Sequence, residues 1–375
     1  MKVSVSQQQL AHGLSMVSRA VSPRSTLPVL GNVLLATDEG RLRLAATNLE
    51  LGISCWIGAQ IGEEGSITVP ARLLSDLVNT LPSDTVQLAV NMATFTLSVK
   101  CGTSATEIKG IDAQEFPPMP ASDPKDGIHL KVSDFKEMVS QVAFAASSDE
   151  ARPVLQGVQT TIGGNTITLA ATDGFRISVR KTDLSESAPK PFVMLIPARA
   201  LNELARIAQD GEGVLSLITP PGRGQVIFHL ENAELVSQLI DGNFPDYKVI
   251  LPRNFKTQTI VSTAAFLKAC KQAEIIARNG NNVVRLNLQK YDDRPGEIEV
   301  SSQTEETGSN ENKIDANVEG PGIVVALNVR YLREVLEVVK TPNLVLQTND
   351  NKSPVQIQSV GDENFQHVIM PMHLG

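Results

Sequence analysis

The sequence predicts an α+β protein of three similar domains, each with two helices packed on antiparallel sheet. Three observations predict it. One passage of strand, strand and helix occurs three times; three separate markers recur at one domain-sized spacing; and each copy holds two helical patterns with a single apolar face. The fullest copy reads I-T-L-A-A-T-D-G-F-R-I-S-V-R from Ile167, then M-L-I-P-A-R-A-L-N-E-L-A-R-I-A to Ala208. Upstream it is L-R-L-A-A-T-N-L-E-L-G-I-S (Leu42 to Ser54) and I-T-V-P-A-R-L-L-S-D-L-V-N-T-L (Ile67 to Leu81). Downstream it degrades to I-E-V-S-S-Q-T-E-E-T (Ile298 to Thr307) and I-V-V-A-L-N-V-R-Y-L-R-E-V-L (Ile323 to Leu336).

The markers fix the period. Arg72, Arg199 and Arg330 stand 127 and 131 residues apart, Ser6, Ser133 and Ser262 stand 127 and 129 apart, and Phe116, Phe244 and Phe365 stand 128 and 121 apart. Solenoid and propeller units repeat every ~20–50 residues, so this period is that of a domain. The domains expected are 1–122, 123–252 and 253–375, each long enough for its own core.

In the first domain, residues 2–5 alternate as a strand. Ser6 is a good N-cap, and Leu10, Leu14 and Val17 follow at helical spacing. A proline-bounded loop carries Arg19 and Arg24, and strands follow at about 29–36 and 41–57 around the turn D-E-G. Pro70 falls in the first turn of a second helix, which presents Leu73, Leu74, Leu77 and Val78. More strands fill 85–111 before F-P-P-M-P. The second domain restarts at His129, and its first helix buries Phe135, Met138, Val139 and Val142. The third restarts at Thr259, with helices near 263–278 and 328–340 around a polar strand-and-turn region, 283–320. Each domain should then hold seven or eight short strands, with its helices side by side on one sheet face.

Composition narrows the function. No apolar run approaches the ~18 residues of a membrane span, and the N-terminus shows no signal-peptide stretch, so a cytosolic protein is expected. Cys55, Cys101 and Cys270 are odd in number and far apart, which reads as reduced, mostly buried thiols. None of the five histidines has ligand spacing, so no metal is expected, and no phosphate loop exists, so no nucleotide cofactor is. Asp173 and Asp241 precede glycine, which is turn chemistry rather than a catalytic carboxylate pair, and Asp246 adds no partner. The chain is not expected to be an enzyme. A net charge of −8 excludes a simple basic nucleic-acid module, and 4% aromatics excludes a single-strand binder that stacks bases. Yet the six helical segments together carry +4 while the rest carries −12. A basic helix-lined surface within an acidic body attracts phosphates without reading sequence.

The passages R-S-T-L-P-V-L-G-N (24–32), A-A-T-N-L-E (45–50), T-V-P-A-R (68–72), A-T-D-G-F-R-I (171–177), I-D-G-N-F-P-D-Y (240–247) and V-I-M-P-M-H-L (368–374) follow one another along the chain. On them, and over its whole length, the chain resembles the bacterial sliding clamps, the β subunits of DNA polymerase III. The resemblance implies a head-to-tail homodimer, a closed ring of six domains with helices lining the hole. The ring would encircle duplex DNA non-specifically and tether the replicative polymerase, the clamp loader and repair proteins. It has no cofactor. Arg24 matches the family's DNA-touching loop arginine. Arg72, Arg199, Lys268, Lys271, Arg330 and Arg333 are further phosphate candidates from their helix positions.

The resemblance also implies an apolar pocket for short linear motifs. Its residues here would be Leu155, Thr172, Gly174, Phe175, Arg176, Ile177, Pro245, Val249, Ile250, Pro354, Val368, Ile369, Met370, Pro371 and Met372. Methionine is adaptable and suits such a surface. Phe175 and His373 depart from the commoner His and Arg of relatives, and Gly375 is an extra terminal residue. Ile275 and Ile276 are implied on one side of the dimer contact and Thr106 on the other, with Glu305 and Glu306 able to pair with Lys100 or Lys109 across it. The rival reading is a scaffold that gathers peptides without encircling DNA.

Overall fold

The structure, a computed structural model, describes residues 1–22, 27–120, 122–188, 190–209 and 213–372. Arg24, His373 and Gly375 lie outside these residues. Six α-helices are found among them: α1 (Gln7–Val17), α2 (Ala71–Thr80), α3 (Val132–Val142), α4 (Ala198–Ile207), α5 (Thr263–Ala277) and α6 (Val329–Val338). Each sits where apolar periodicity placed it. On α2, Ala71, Leu74 and Val78 face the core, and Leu73, off that stripe, is exposed rather than packed. Pro70 is the N-cap of α2, one residue before the first turn. Ser6 stands at the N-cap of α1 but its side chain makes no capping bond, whereas Ser262 accepts from the Ala265 amide at the start of α5.

The described strands form three antiparallel sheets. One has five strands, in the order Gln60–Glu63, Lys2–Ser6, Thr85–Asn91, Thr96–Cys101 and Ser104–Lys109. The first copy therefore has nine strands among the described residues, one more than expected, because the short edge strand Gln60–Glu63 pairs with the N-terminal strand. α1 and α2 pack side by side, and α1 lies on Arg41–Thr47 and Leu51–Gly58. α5 and α6 do the same in the third copy, where α5 covers Gly296–Thr304 and Gly308–Glu319.

The other two sheets pass from one repeat to the next. In the eight-stranded sheet, Ile128–Lys131, Val214–Ile218, Gln225–His229 and Ala233–Gln238 continue into Leu51–Gly58, Arg41–Thr47, Asn32–Asp38 and Ser66–Pro70. In the twelve-stranded sheet, Phe192–Pro197, Gly157–Gly163, Thr166–Thr172 and Arg176–Asp183 continue into Asp362–Ile369 and the rest of the third repeat. Pairing of this kind removes open strand edges. It also means that the chain divides in space into two units, 1–135 with 199–239, and 136–198 with 240–375. The cut runs through the second repeat.

A large apolar cluster surrounds Phe266, Phe365, Leu332 and Leu346 in the third repeat. Cys55, Cys101 and Cys270 are free and buried. Burial pushes the Cys55 thiol up to about 12, and raises Cys270 as well, with Glu274 adding to the shift. No described helix is long and apolar enough to cross a membrane.

His367 sits in Asp362–Ile369 with no exposure, bonded through Nδ1 to Ser178 Oγ at 2.6 Å and stacked on Phe144 at 5.4 Å. Burial, reinforced by the nearby Arg176 charge, holds its pKa well below the ordinary value. The unfolded chain protonates this histidine near pH 6.5 while the folded chain refuses the proton. Its contribution is therefore complete above that pH and is lost as pH falls toward the folded pKa. Denaturant unfolding from about pH 7.5 to 5.5 should show stability falling, with this residue contributing up to about 1.4 kcal/mol per pH unit. His367→Gln should flatten the slope; an unchanged slope counts against the assignment.

Candidate functional site

The pocket is built on a turn. Thr172 ends one strand and Arg176 begins the next, and the two residues are tied together: Thr172 Oγ1 donates to the Arg176 carbonyl at 2.7 Å and accepts from the Gly174 amide at 3.0 Å. Asp173 Oδ1 accepts from the amides of Phe175 and Arg176 at 2.9 and 3.1 Å. Asp173 is thus consumed by the turn and its neighbour, as expected of an Asp before Gly. Gly174 has φ 96°, where a Cβ is disfavoured. The turn leaves Phe175 58% exposed at the rim.

The last strand supplies the opposite wall. Ile177 pairs with Val368 and Arg176 with Ile369, and the Met370 amide donates to the Phe175 carbonyl at 2.8 Å. Together Leu155, Thr172, Gly174, Phe175, Arg176, Ile177, Pro245, Ile250, Val368 and Met370 line a cavity of about 310 Å³. Tyr247 completes it. Sequence reasoning missed Tyr247, although it closes the quoted I-D-G-N-F-P-D-Y. The signal was an aromatic two residues after Pro245 that packs edge-on to Phe244. Burial, then Asp246, raises its phenol pKa, so it stays protonated.

Five of the residues expected in the pocket fall elsewhere. Ile369 is fully buried in the core of the third repeat, because successive strand residues face opposite sides and Val368 takes the pocket side. Val249 is 76% exposed beside the cavity rather than in its lining. Pro354, Pro371 and Met372 are half-buried outside it, with the Met372 amide donating to the Ala326 carbonyl at 2.8 Å.

Arg176 is the charged member of the lining, and it is buried. Its guanidinium reaches Asp173 Oδ2 at 3.1 Å, the Phe144 carbonyl at 2.8 Å and Glu334 Oε2 on α6. It also lies 4.3 Å from the Tyr331 ring centre. Glu334 accepts from Arg330 Nε at 2.9 Å. Burial pushes the Glu334 carboxyl up, but its two arginines outweigh burial and hold it below the ordinary value. The charge is thus satisfied behind the cavity, which leaves the cavity itself apolar.

The phosphate candidates differ in freedom. Arg72 is almost fully exposed, with Asp76 at 3.7 Å; Arg199 and Lys268 are exposed on α4 and α5. Arg330 is exposed beside Glu334. Lys271 is held by Glu337 at 3.1 Å, and Arg333 is half-buried between Glu274 at 2.7 Å and Glu337 at 3.0 Å. Burial works against the Arg333 charge, but the two glutamates raise its pKa. The Lys271–Glu337 and Arg333–Glu274 pairs join α5 to α6.

At the implied dimer contact, Ile275 is 57% exposed and Ile276 half-buried at the end of α5. Thr106 is half-buried on Ser104–Lys109, the open edge of the five-stranded sheet. Glu305, Glu306, Lys100 and Lys109 are exposed. Among the described residues no cluster of His, Cys, Asp and Glu could hold a metal ion.

Comparison with known proteins accounts for the whole chain. Family models of the DNA polymerase III beta subunit match in order: the N-terminal domain over 1–120, the central domain over 129–246 and the C-terminal domain over 248–373. The beta sliding clamp of Synechococcus elongatus is 35% identical over 378 residues, covering all of both chains. That of Bacillus subtilis is 29% identical, covering 99% of each. The crystal structure of the Bacillus subtilis sliding clamp superimposes with a TM-score of 0.93 at 28% identity, and a Pseudomonas aeruginosa sliding clamp bound to griselimycin with 0.92 at 26%, each over the full length of both chains.

Replacing Arg176 with Met should leave Asp173 facing the interior without its cation and Glu334 with Arg330 alone. A loss of about 3–5 kcal/mol is expected in urea unfolding. Arg330→Ala, at the exposed end of the same chain of charges, should cost no more than about 1 kcal/mol. Equal effects would remove the distinction between the buried and exposed arginines.

Proposed function

We infer function from one premise: this chain belongs to the DNA polymerase III beta subunit family, the bacterial sliding clamps. It is a DNA sliding clamp of replication. The observation that carries the reading is the match of all three family domains, in order, over the length of the chain. The finer reading is that two copies close head-to-tail into a ring around duplex DNA. Helix cations then hold the duplex through its phosphates, which carry about one charge per 1.7 Å of axis and no sequence information. The ring has no chemistry of its own and works in the cytoplasm.

Arg72, Arg199, Lys268 and Arg330 are the described side chains best suited to diffuse phosphate contact, since they are exposed on helices. Arg24 is proposed with them from its loop position in the family. The three repeats, 1–122, 123–252 and 253–375, are proposed as the domains of the half-ring. The apolar cavity between the turn at Gly174 and the end of the last strand is proposed as the docking site for short motifs of the replicative polymerase, the clamp loader and repair proteins. An apolar concavity with a rim aromatic and an adaptable methionine suits a Leu or Phe anchor, whose burial contributes ~1.5–3 kcal/mol.

Topological linkage has its own signature. Loaded on a nicked circle by its loader, the protein should resist moderate salt and leave when the circle is linearised. Without the loader, binding should be weak and salt-sensitive. Equal retention on circles and on unblocked linear DNA would reject encirclement and favour the scaffold reading.

The ring contact can be tested separately. Changing Ile275 and Ile276 together to serine should give a folded monomer, because an exposed isoleucine beside a half-buried one at a helix end is suited to a partner surface. Molecular mass over a dilution series reads this directly. A double variant that stays dimeric below micromolar concentration places the contact elsewhere.

A further inference from the structure

The turn that builds the pocket has a twin in the first repeat. Thr47 Oγ1 donates to the Leu51 carbonyl at 3.1 Å and accepts from the Leu49 amide at 3.0 Å. Asn48 Oδ1 accepts from the amides of Glu50 and Leu51 at 3.0 and 2.7 Å. These are the same four bonds that Thr172 and Asp173 make, 125 positions later. Leu49 has φ 77° where Gly174 has 96°. A leucine in this left-handed region is a conformational outlier, and this one stays 51% exposed, as Phe175 does at the first site.

The surroundings match as well. Gly52 pairs with Val236 of the next repeat as Ile177 pairs with Val368. Pro117 and Met119 follow Phe116 just as Pro245 and Tyr247 follow Phe244. The two places differ in what fills them. Gly52 stands where the open pocket has Ile177, and a Cβ on Gly52 would meet Met119 Cε at 2.6 Å and Sδ at 2.8 Å. The Met119 side chain also packs on the apolar clusters on both sides, one around Leu30 and Phe116, the other around Val236. An unbranched apolar side chain, carried on an irregular proline-flanked segment at the position of Tyr247, fills the space over Gly52.

We propose that the place beside the Thr47–Leu51 turn, where Leu51–Gly58 pairs with Ala233–Gln238, is a second peptide site, held shut by Met119. Its occupant is an extended peptide with an apolar anchor, the class taken by the first pocket, and the proposal rests on that reading of the first pocket. The turn bonds and the wall-strand pairing are the same, an apolar residue is again exposed at the turn although Glu50 holds the position of Phe175, and Met119 shows that an unbranched apolar side chain fits there. A tethered competitor acts at an effective concentration on the order of millimolar. Free peptide therefore fills the first pocket alone until Met119 is displaced.

The test counts peptides per chain. A fluorescent peptide with adjacent Leu and Phe is titrated by calorimetry, and the bound regions are mapped by hydrogen exchange. Wild type should take one peptide per chain. Met119→Ala should take two, with new protection over 46–52 and 233–237. Gly52→Ala, which drives the thioether away by overlap while keeping the methionine, should also gain the second event, and Met119→Leu should not. One peptide per chain in both Met119→Ala and Gly52→Ala overturns the second site while leaving the first intact. No binding to wild type overturns the peptide reading of the first pocket, and the second site falls with it.

Discussion

The structure depends on one main-chain interaction, the antiparallel pairing of Arg176–Asp183 with Asp362–Ile369. It joins the sheet of the second repeat to that of the third and leaves neither edge open. The same register places Val368 against Ile177 and ends beside Phe175, which makes one wall of the cavity. It also places the Arg176 side chain within reach of Glu334 on α6, so that a guanidinium can be buried at all. Slipping the pairing by one residue would turn Ile369 into the cavity and His367 out of the core. Fold and site are therefore set by one ladder of hydrogen bonds.

Repetition explains how such a site arises and how a copy of it diverges. The two turns share the four hydrogen bonds of their Thr and Asx side chains, yet Leu51 stands where the other copy has Arg176, and Gly52 where it has Ile177. The arginine needs a carboxylate partner from a helix. The leucine needs none, so the first copy has no equivalent of the Arg176–Glu334 pair. A threonine and an Asx residue at fixed spacing hold the turn whatever follows, and that leaves the following positions free to change.

Much of this was legible in the sequence because it is local. Helix spans follow from apolar residues at helical spacing, and the turn from Thr-Asp-Gly. The three copies follow from Arg72, Arg199 and Arg330 at near-equal intervals. What could not be read depends on neighbours distant in the chain. Leu73 looks like core by residue type, but Leu74 and Val78 set the buried stripe. Ile369 and Val368 are both apolar, and strand alternation alone decides which one meets the cavity. Arg333 looks like a free helix cation until Glu274, 59 positions earlier, is brought beside it. The spatial cut through the second repeat follows from sheet pairing between repeats, which has no signature in any single segment. Ten of the cavity residues could be named in advance, because the resemblance carried them over position by position, and Tyr247 was missed because it was weighed only as part of a motif.

The three thiols give the folded chain an unusual chemical silence. Cys55, Cys101 and Cys270 are all enclosed, and Cys55 and Cys270 are also poor thiolates at neutral pH because burial disfavours the charged form. An alkylating dye therefore finds no nucleophile while the protein is intact, and finds three when it unfolds. A cysteine introduced at any exposed position can be labelled selectively against that background. The native sequence already behaves as a cysteine-free scaffold for optical probes of where the protein sits and how it moves.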